Sequence, residues 1–150
     1  MAKTWLLRFA KPWLAGWLSL SAASITHEFV SFGYTHGYFT GERNLGYGVY
    51  PTTPMGIVIE SLVISAVAGI AIAVSCALIS HHIVRLILAA VLWLILCRQI
   101  YFMTAYGYRS DFGATWLWRE PFWALMWSPW LTPLATLLGL LPFLWSIRNR

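Results

Sequence analysis

The sequence predicts an all-α, polytopic membrane protein, a four-helix transmembrane bundle with both termini cytoplasmic and a kinked fourth helix. Three observations predict it. The composition is 59% hydrophobic and 17% aromatic with only 10% charged residues, far from the usage of a soluble domain. The apolar residues gather into four stretches, about 13–32, 55–79, 83–103 and 122–145, each long enough for the roughly 20 residues that a bilayer crossing needs. The basic residues, finally, are distributed unevenly between the segments that join those stretches.

The first stretch follows Lys3, Arg8 and Lys11. A basic start, an apolar run and the small residues Ser21, Ala22 and Ala23 would also suit a cleaved signal peptide. The apolar run continues to Phe29 and Phe32, so the segment is read as a retained helix. The second stretch opens at Pro54, a residue suited to a helix start. Along it Ser61, Ser65, Gly69, Ala73 and Ala77 recur at intervals of four, a stripe of small side chains that another backbone can approach closely. Ala15, Ser19 and Ala23 form a shorter stripe on the first helix and are the expected partner. Intramolecular packing is preferred here to a homo-oligomer face.

Only Ser80, His81 and His82 separate the second and third stretches, which predicts a tight antiparallel hairpin, with those histidines capping it or lining the headgroup region. The fourth stretch contains Pro129 and Pro133 near its middle and Pro142 near its end. Each removes a backbone donor, so this helix is expected to kink. The connections 33–54 and 104–121 are the outer loops, and 1–150 form a single transmembrane domain.

Orientation follows from charge. With the N-terminus inside, Lys3, Arg8, Lys11, Arg85, Arg148 and Arg150 are cytoplasmic and no acid accompanies them. The outer loops hold Arg43, Arg109 and Arg119 together with Glu42, Asp111 and Glu120. This is the asymmetry of the positive-inside rule, and the chain is expected in the cell inner membrane as a multi-pass protein. The net charge of +5 is scattered singly, so no nucleic-acid surface is indicated. Cys76 and Cys97 fall within apolar helices without metal or redox spacing.

Counting depth along the helices gives a candidate intramembrane polar cluster. His27 and Glu28 on the first span, Glu60 on the second, and Arg98 and Gln99 on the third all fall within roughly 6 to 8 Å of the same outer boundary at 1.5 Å per residue. Charged groups at such depth usually face the bundle and pair, and the economical pairing is Arg98 with Glu60 or Glu28. His81 is expected at the opposite face from His27, which argues against bis-histidine haem, and His36 in the outer loop has no metal-motif spacing toward His27 and Glu28.

The run Leu45-Gly46-Tyr47-Gly48, followed by Pro51 and an apolar helix with Gly69, resembles the selectivity filter and inner helix of potassium channels. That family carries Thr-Val where Asn44 and Leu45 stand here, an Asp after the last filter glycine where Val49 stands, and an apolar pore helix where Gly37, Gly41, Glu42 and Arg43 stand. The run is therefore read as an outer-loop turn. Asp111 is the sole aspartate, which excludes a two-aspartate intramembrane protease, and no familiar catalytic, metal or cofactor motif occurs. The reading is a non-enzymatic integral inner-membrane protein acting through helix and outer-loop contacts, such as an accessory, immunity or exclusion-type subunit of a larger membrane system. Its partners would be the lipid bilayer and other membrane subunits. The alternative is a small channel or transporter that uses the polar cluster; a membrane enzyme using His27 and Glu28 ranks last.

Overall fold

A computed structural model describes residues 2–40, 53–112 and 115–148, with side chains from residue 8 onward. The filter-like run, Glu42, Arg43, Arg150 and the side chain of Lys3 lie outside the described residues. Among the described residues the protein is all-helical without strands. The α-helices are α1 (Ala2–Glu28), α2 (Pro54–Leu78), α3 (His82–Gly107) and α4 (Leu131–Arg148). Two short π-helical segments, Phe29–Thr35 after α1 and Phe122–Met126 before α4, and a 3₁₀ segment, Tyr108–Phe112 after α3, join them.

Among the described residues three helical stretches are long and apolar enough to cross a membrane: Pro54–Leu78, His82–Phe112 and Leu131–Arg148. Only 33%, 22% and 28% of their most apolar windows are buried within the protein, so most of their side chains face outward. Most of the outward residues are apolar, among them Val63, Val67 and Val74 on α2, Ile87, Val91 and Ile95 on α3, and Leu134, Leu138 and Leu141 on α4. An apolar surface of that extent is unsuited to water and suited to lipid.

Helix α1 differs in kind. It carries Ser19, Ser21, Ser24, His27 and Glu28, all buried, and it packs most extensively on α2 and next on α4. Polar side chains are costly in hydrocarbon, and the helix that has most of them is the one the others enclose. It begins well before residue 13 and continues past Glu28 as the π-helical segment, longer than the stretch read from hydropathy.

Small residues set the α1–α2 distance. Ser61, Ser65, Gly69 and Ala73 are buried along one face of α2. A Cβ on Gly69 would come within 3.2 Å of both the Trp13 carbonyl oxygen and the Trp17 amide nitrogen, so a larger residue would push the two helices slightly apart. Trp13 and Trp17 then donate their indole N–H groups to the carbonyls of Ala66 at 3.0 Å and Leu62 at 2.8 Å, and the hydroxyls of Ser24 and Ser61 meet at 3.2 Å. The stripe is used, but its partner is the Trp13–Gly16–Trp17 face. Ser19 and Ala23 face α4 instead, where a Cβ on Gly139 would collide with the Ser19 carbonyl oxygen and the Ala23 Cβ. The indole of Trp93 on α3 reaches the same place and donates to Ser19 Oγ at 2.8 Å.

The hairpin between α2 and α3 is tight. His81 caps α3 by accepting the Val84 amide on its side chain, and His82 donates to the Arg148 carbonyl at 3.1 Å, which joins the hairpin to the end of α4. Thr53 caps α2 on the Gly56 amide with Pro54 in the first turn.

At the expected kink the structure has a break. Helical geometry stops after Met126, and Trp127 is extended. Ser128 then accepts the Leu131 amide on its hydroxyl and the Thr132 amide on its carbonyl, as a helix N-cap does. Pro129 therefore lies in the turn that leads from Ser128 into α4, where its missing N–H breaks no helical bond, and Pro133 follows in the first turn of α4. Pro142 alone lies inside the α4 interior.

Candidate functional site

The end of the bundle formed by the last turns of α1 and α3 gathers polar and aromatic side chains. His27 is fully buried, at 0% exposure, and Glu28 nearly so, at 2%. The imidazole Nε2 lies 2.8 Å from Thr132 Oγ1 on α4 and Nδ1 lies 3.3 Å from Ser31 Oγ one turn along its own chain. With the proton on Nε2, the ring donates to Thr132 and accepts from Ser31. Tyr101 of α3 covers the ring at 4.4 Å between centroids.

Thr132 is shared between local and tertiary structure. Its Oγ1 also accepts the Ser128 amide at 3.1 Å, and its carbonyl accepts the Thr136 hydroxyl at 2.7 Å. Because the Thr136 proton is used there, Tyr101 OH is the donor in its 3.4 Å contact with Thr136 Oγ1. The break before α4 thus places Thr132 opposite His27, and its hydroxyl both accepts the Ser128 amide and meets the imidazole.

Glu28 accepts a hydrogen bond from Tyr108 OH at 2.9 Å. The Tyr108 ring stacks on Phe32 at 3.7 Å and meets Tyr38 edge-on at 5.0 Å, while Tyr38 OH donates to Asp111 at 2.7 Å. The π-helical segment after Glu28 turns Ser31, Phe32 and Gly33 inward, which supplies two of these contacts. His36, just beyond it, donates to the Leu125 carbonyl at 2.6 Å in the other π-helical segment, so it braces the two segments.

The five residues expected at one depth therefore divide. His27 and Glu28 form the buried centre. Glu60 is half-buried on α2. Arg98 and Gln99 are exposed, and Arg98 lies over the Phe102 ring at 5.1 Å without an ion pair to Glu28. The reason is azimuth. The buried seam of α3 runs through Ala89, Trp93, Cys97, Tyr101, Ala105 and Tyr108; at about 100° per residue Gln99 points away from it, while Arg98 stands at its edge, beside the cleft between α3 and α4.

The partners that sequence reasoning missed are Ser31, Tyr101, Tyr108 and Thr132. Tyr101 carried a signal, since it stands four residues after Cys97 on the seam. Thr132 did not, because its position depends on the break. Cys76 and Cys97 are both buried. Among the described residues no group of three His, Cys, Asp or Glu side chains could hold a metal ion.

Beside this centre, α3, α4 and the segment before α4 enclose a cleft of about 420 Å³. Tyr101 and Thr132, which touch His27, form part of its wall, and Phe102, Trp123, Arg98 and Arg119 form another part. The geometry defines an all-helical protein with helices able to cross a membrane and a sealed polar centre at one end. No family model, curated protein or solved structure matches the chain.

Proposed function

We propose that the chain is a four-span protein of the cell inner membrane, with α1 to α4 as the crossings and both ends cytoplasmic. It acts without catalysis, through helix and outer-loop contacts with other membrane subunits, as an accessory, immunity or exclusion-type component. The basic residues at the α2–α3 hairpin and the chain ends support the orientation.

The observation that carries the contact reading is the closure of the polar centre. A conduction path needs polar groups facing a water-filled lumen, whereas His27 and Glu28 are buried and bonded to Thr132, Ser31 and Tyr108 of the same bundle. Buried groups engaged in this way join helices.

Two measurements test this reading. Proteoliposomes containing the purified protein should carry no proton or ion flux under an imposed gradient. Purification from native membranes in mild detergent should recover a stoichiometric membrane partner. Sustained flux that is lost in His27→Ala would overturn the contact reading in favour of a channel. Reporter fusions at the two ends and at residue 113 test the orientation, with the ends inside and residue 113 outside as the expected result.

A further inference from the structure

The cleft beside the polar centre has a chemistry of its own. Arg98 comes from α3 and Arg119 from the segment before α4, and both are exposed. Their guanidinium carbons lie 5.1 and 5.9 Å from the centroid of the same Phe102 ring. Neither makes an ion pair among the described residues. The neighbouring Glu120 carboxylate is turned back to accept the Leu117 amide at 2.7 Å.

Two like charges are thus brought to one ring. An arginine on the outward face of a membrane-capable helix costs about 2.5 to 3.5 kcal/mol even on the lenient insertion scale, and convergence of a second one adds repulsion. Arg98 lies over Phe102, one turn nearer the loop end of α3, so its side chain reaches toward the headgroup level. An anion placed between the two arginines would relieve both costs, and guanidinium pairs well with phosphate.

The anion's attachment is indicated by what lies below. The cleft shares Leu94, Trp127 and Thr136 with a second, apolar furrow of about 400 Å³ that extends past Leu137 to Leu140 on α4. α3 and α4 touch far less than α1 and α2 do, and the furrow occupies the gap between them. A phosphate site opening into an apolar furrow along the membrane-crossing direction has the form of one phospholipid molecule.

We propose that Arg98 and Arg119 bind the phosphate of an anionic phospholipid whose acyl chain lies in the furrow between α3 and α4. The proposal rests on the chain's residence in a membrane and does not depend on which subunits it contacts.

Native mass spectrometry of the full-length protein, released from phosphatidylcholine vesicles containing a minor fraction of phosphatidylglycerol, tests it. The wild type should retain one phosphatidylglycerol per chain in preference to phosphatidylcholine. Arg98→Gln and Arg119→Gln should each lower that retention about tenfold or more, as expected for loss of a charged hydrogen bond, and Arg98→Lys should keep part of it. Thr136→Trp, which fills the furrow and leaves both arginines, should also release the lipid, and Arg109→Gln, outside the cleft, should not. Circular dichroism melts confirm that each variant is folded. Equal retention of the two lipids, or unchanged phosphatidylglycerol in both arginine variants, overturns the proposal. So does displacement of the bound species by millimolar inorganic phosphate with no effect of Thr136→Trp, which would mean a phosphate-only site. A dimer that dissociates in Arg98→Gln while lipid retention is unchanged overturns it too, because the arginine partner would then be a second copy.

Discussion

The Tyr108 hydroxyl donates to Glu28 Oε1 at 2.9 Å across 80 residues of chain, and the Tyr108 ring lies flat on Phe32, 3.7 Å away and tilted by 8°. One side chain thus satisfies a buried carboxyl and closes the aromatic layer above it. Tyr108→Phe keeps the stack and removes only the donor. Leaving a buried group unsatisfied costs about 1 to 3 kcal/mol in water-soluble proteins, and interhelical bonds in bilayers average nearer 0.6. A loss of about 1 kcal/mol is expected in a bicelle unfolding assay. A double-mutant cycle with Glu28→Met, which cannot accept the bond, should give a coupling of similar size; additive effects would mean that the bond contributes nothing.

Depth and azimuth differ in how far the sequence discloses them. Depth is a count of residues along each helix, and that count puts His27, Glu28 and Glu60 near one level. Azimuth needs a contrast between helix faces, and α3 offers little: Val91, Leu94 and Ile95 outside are as apolar as Trp93 and Cys97 inside. Arg98 stands at the edge of the seam, exposed toward the cleft. On α2 the small-residue stripe provided the missing contrast, and its buried face was legible, although its partner on α1 was not, because Trp13 and Trp17 pack alongside Gly16 in a manner that residue size alone does not suggest.

The position of Arg98 inverts an expectation about stability. Were it the counter-ion of Glu28, its removal would leave a buried charge unpaired and cost about 3 to 5 kcal/mol. On the exposed face, Arg98→Gln should change stability in lipid-free detergent by no more than about 0.5 kcal/mol. His27→Ala should lose about 1 to 2 kcal/mol, because Thr132, Ser31 and the Tyr101 ring all lose their partner. Equal losses in the two variants would place Arg98 back in the centre.

Close helix approach predicts an order among glycine substitutions. At Gly139 an added Cβ meets the Ser19 carbonyl oxygen and the Trp93 ring; at Gly69 it meets backbone atoms at 3.2 Å; at Gly16 its nearest neighbour, at 3.0 Å, is the terminal methyl of Ile72. A methyl end can move and a helix backbone cannot without its neighbours. Gly139→Ala should therefore be the most damaging and Gly69→Ala intermediate, with overpacking costs of about 1 to 3 kcal/mol. Gly16→Ala should be close to neutral. Thermal stability in one detergent, measured for the three variants side by side, checks the order, and a damaging Gly16→Ala would contradict it.

The start of α4 separates a kink from a cap. Pro129 in a kinked continuous helix would set the bend, and Pro129→Ala would straighten it. With Ser128 as the N-cap, bonded to the Leu131 amide at 3.2 Å and the Thr132 amide at 3.1 Å, the break is held by the cap and by the Thr132 hydroxyl, which accepts the Ser128 amide and meets His27. Pro129→Ala should then leave stability and the distance between spin labels at Trp123 and Leu138 unchanged. Ser128→Ala should cost about 1 kcal/mol, and Thr132→Val should cost more than that, since it removes the cap-side bond and the His27 partner together. A longer label distance in Pro129→Ala would restore the continuous, kinked helix and remove the reason that Thr132 stands opposite His27.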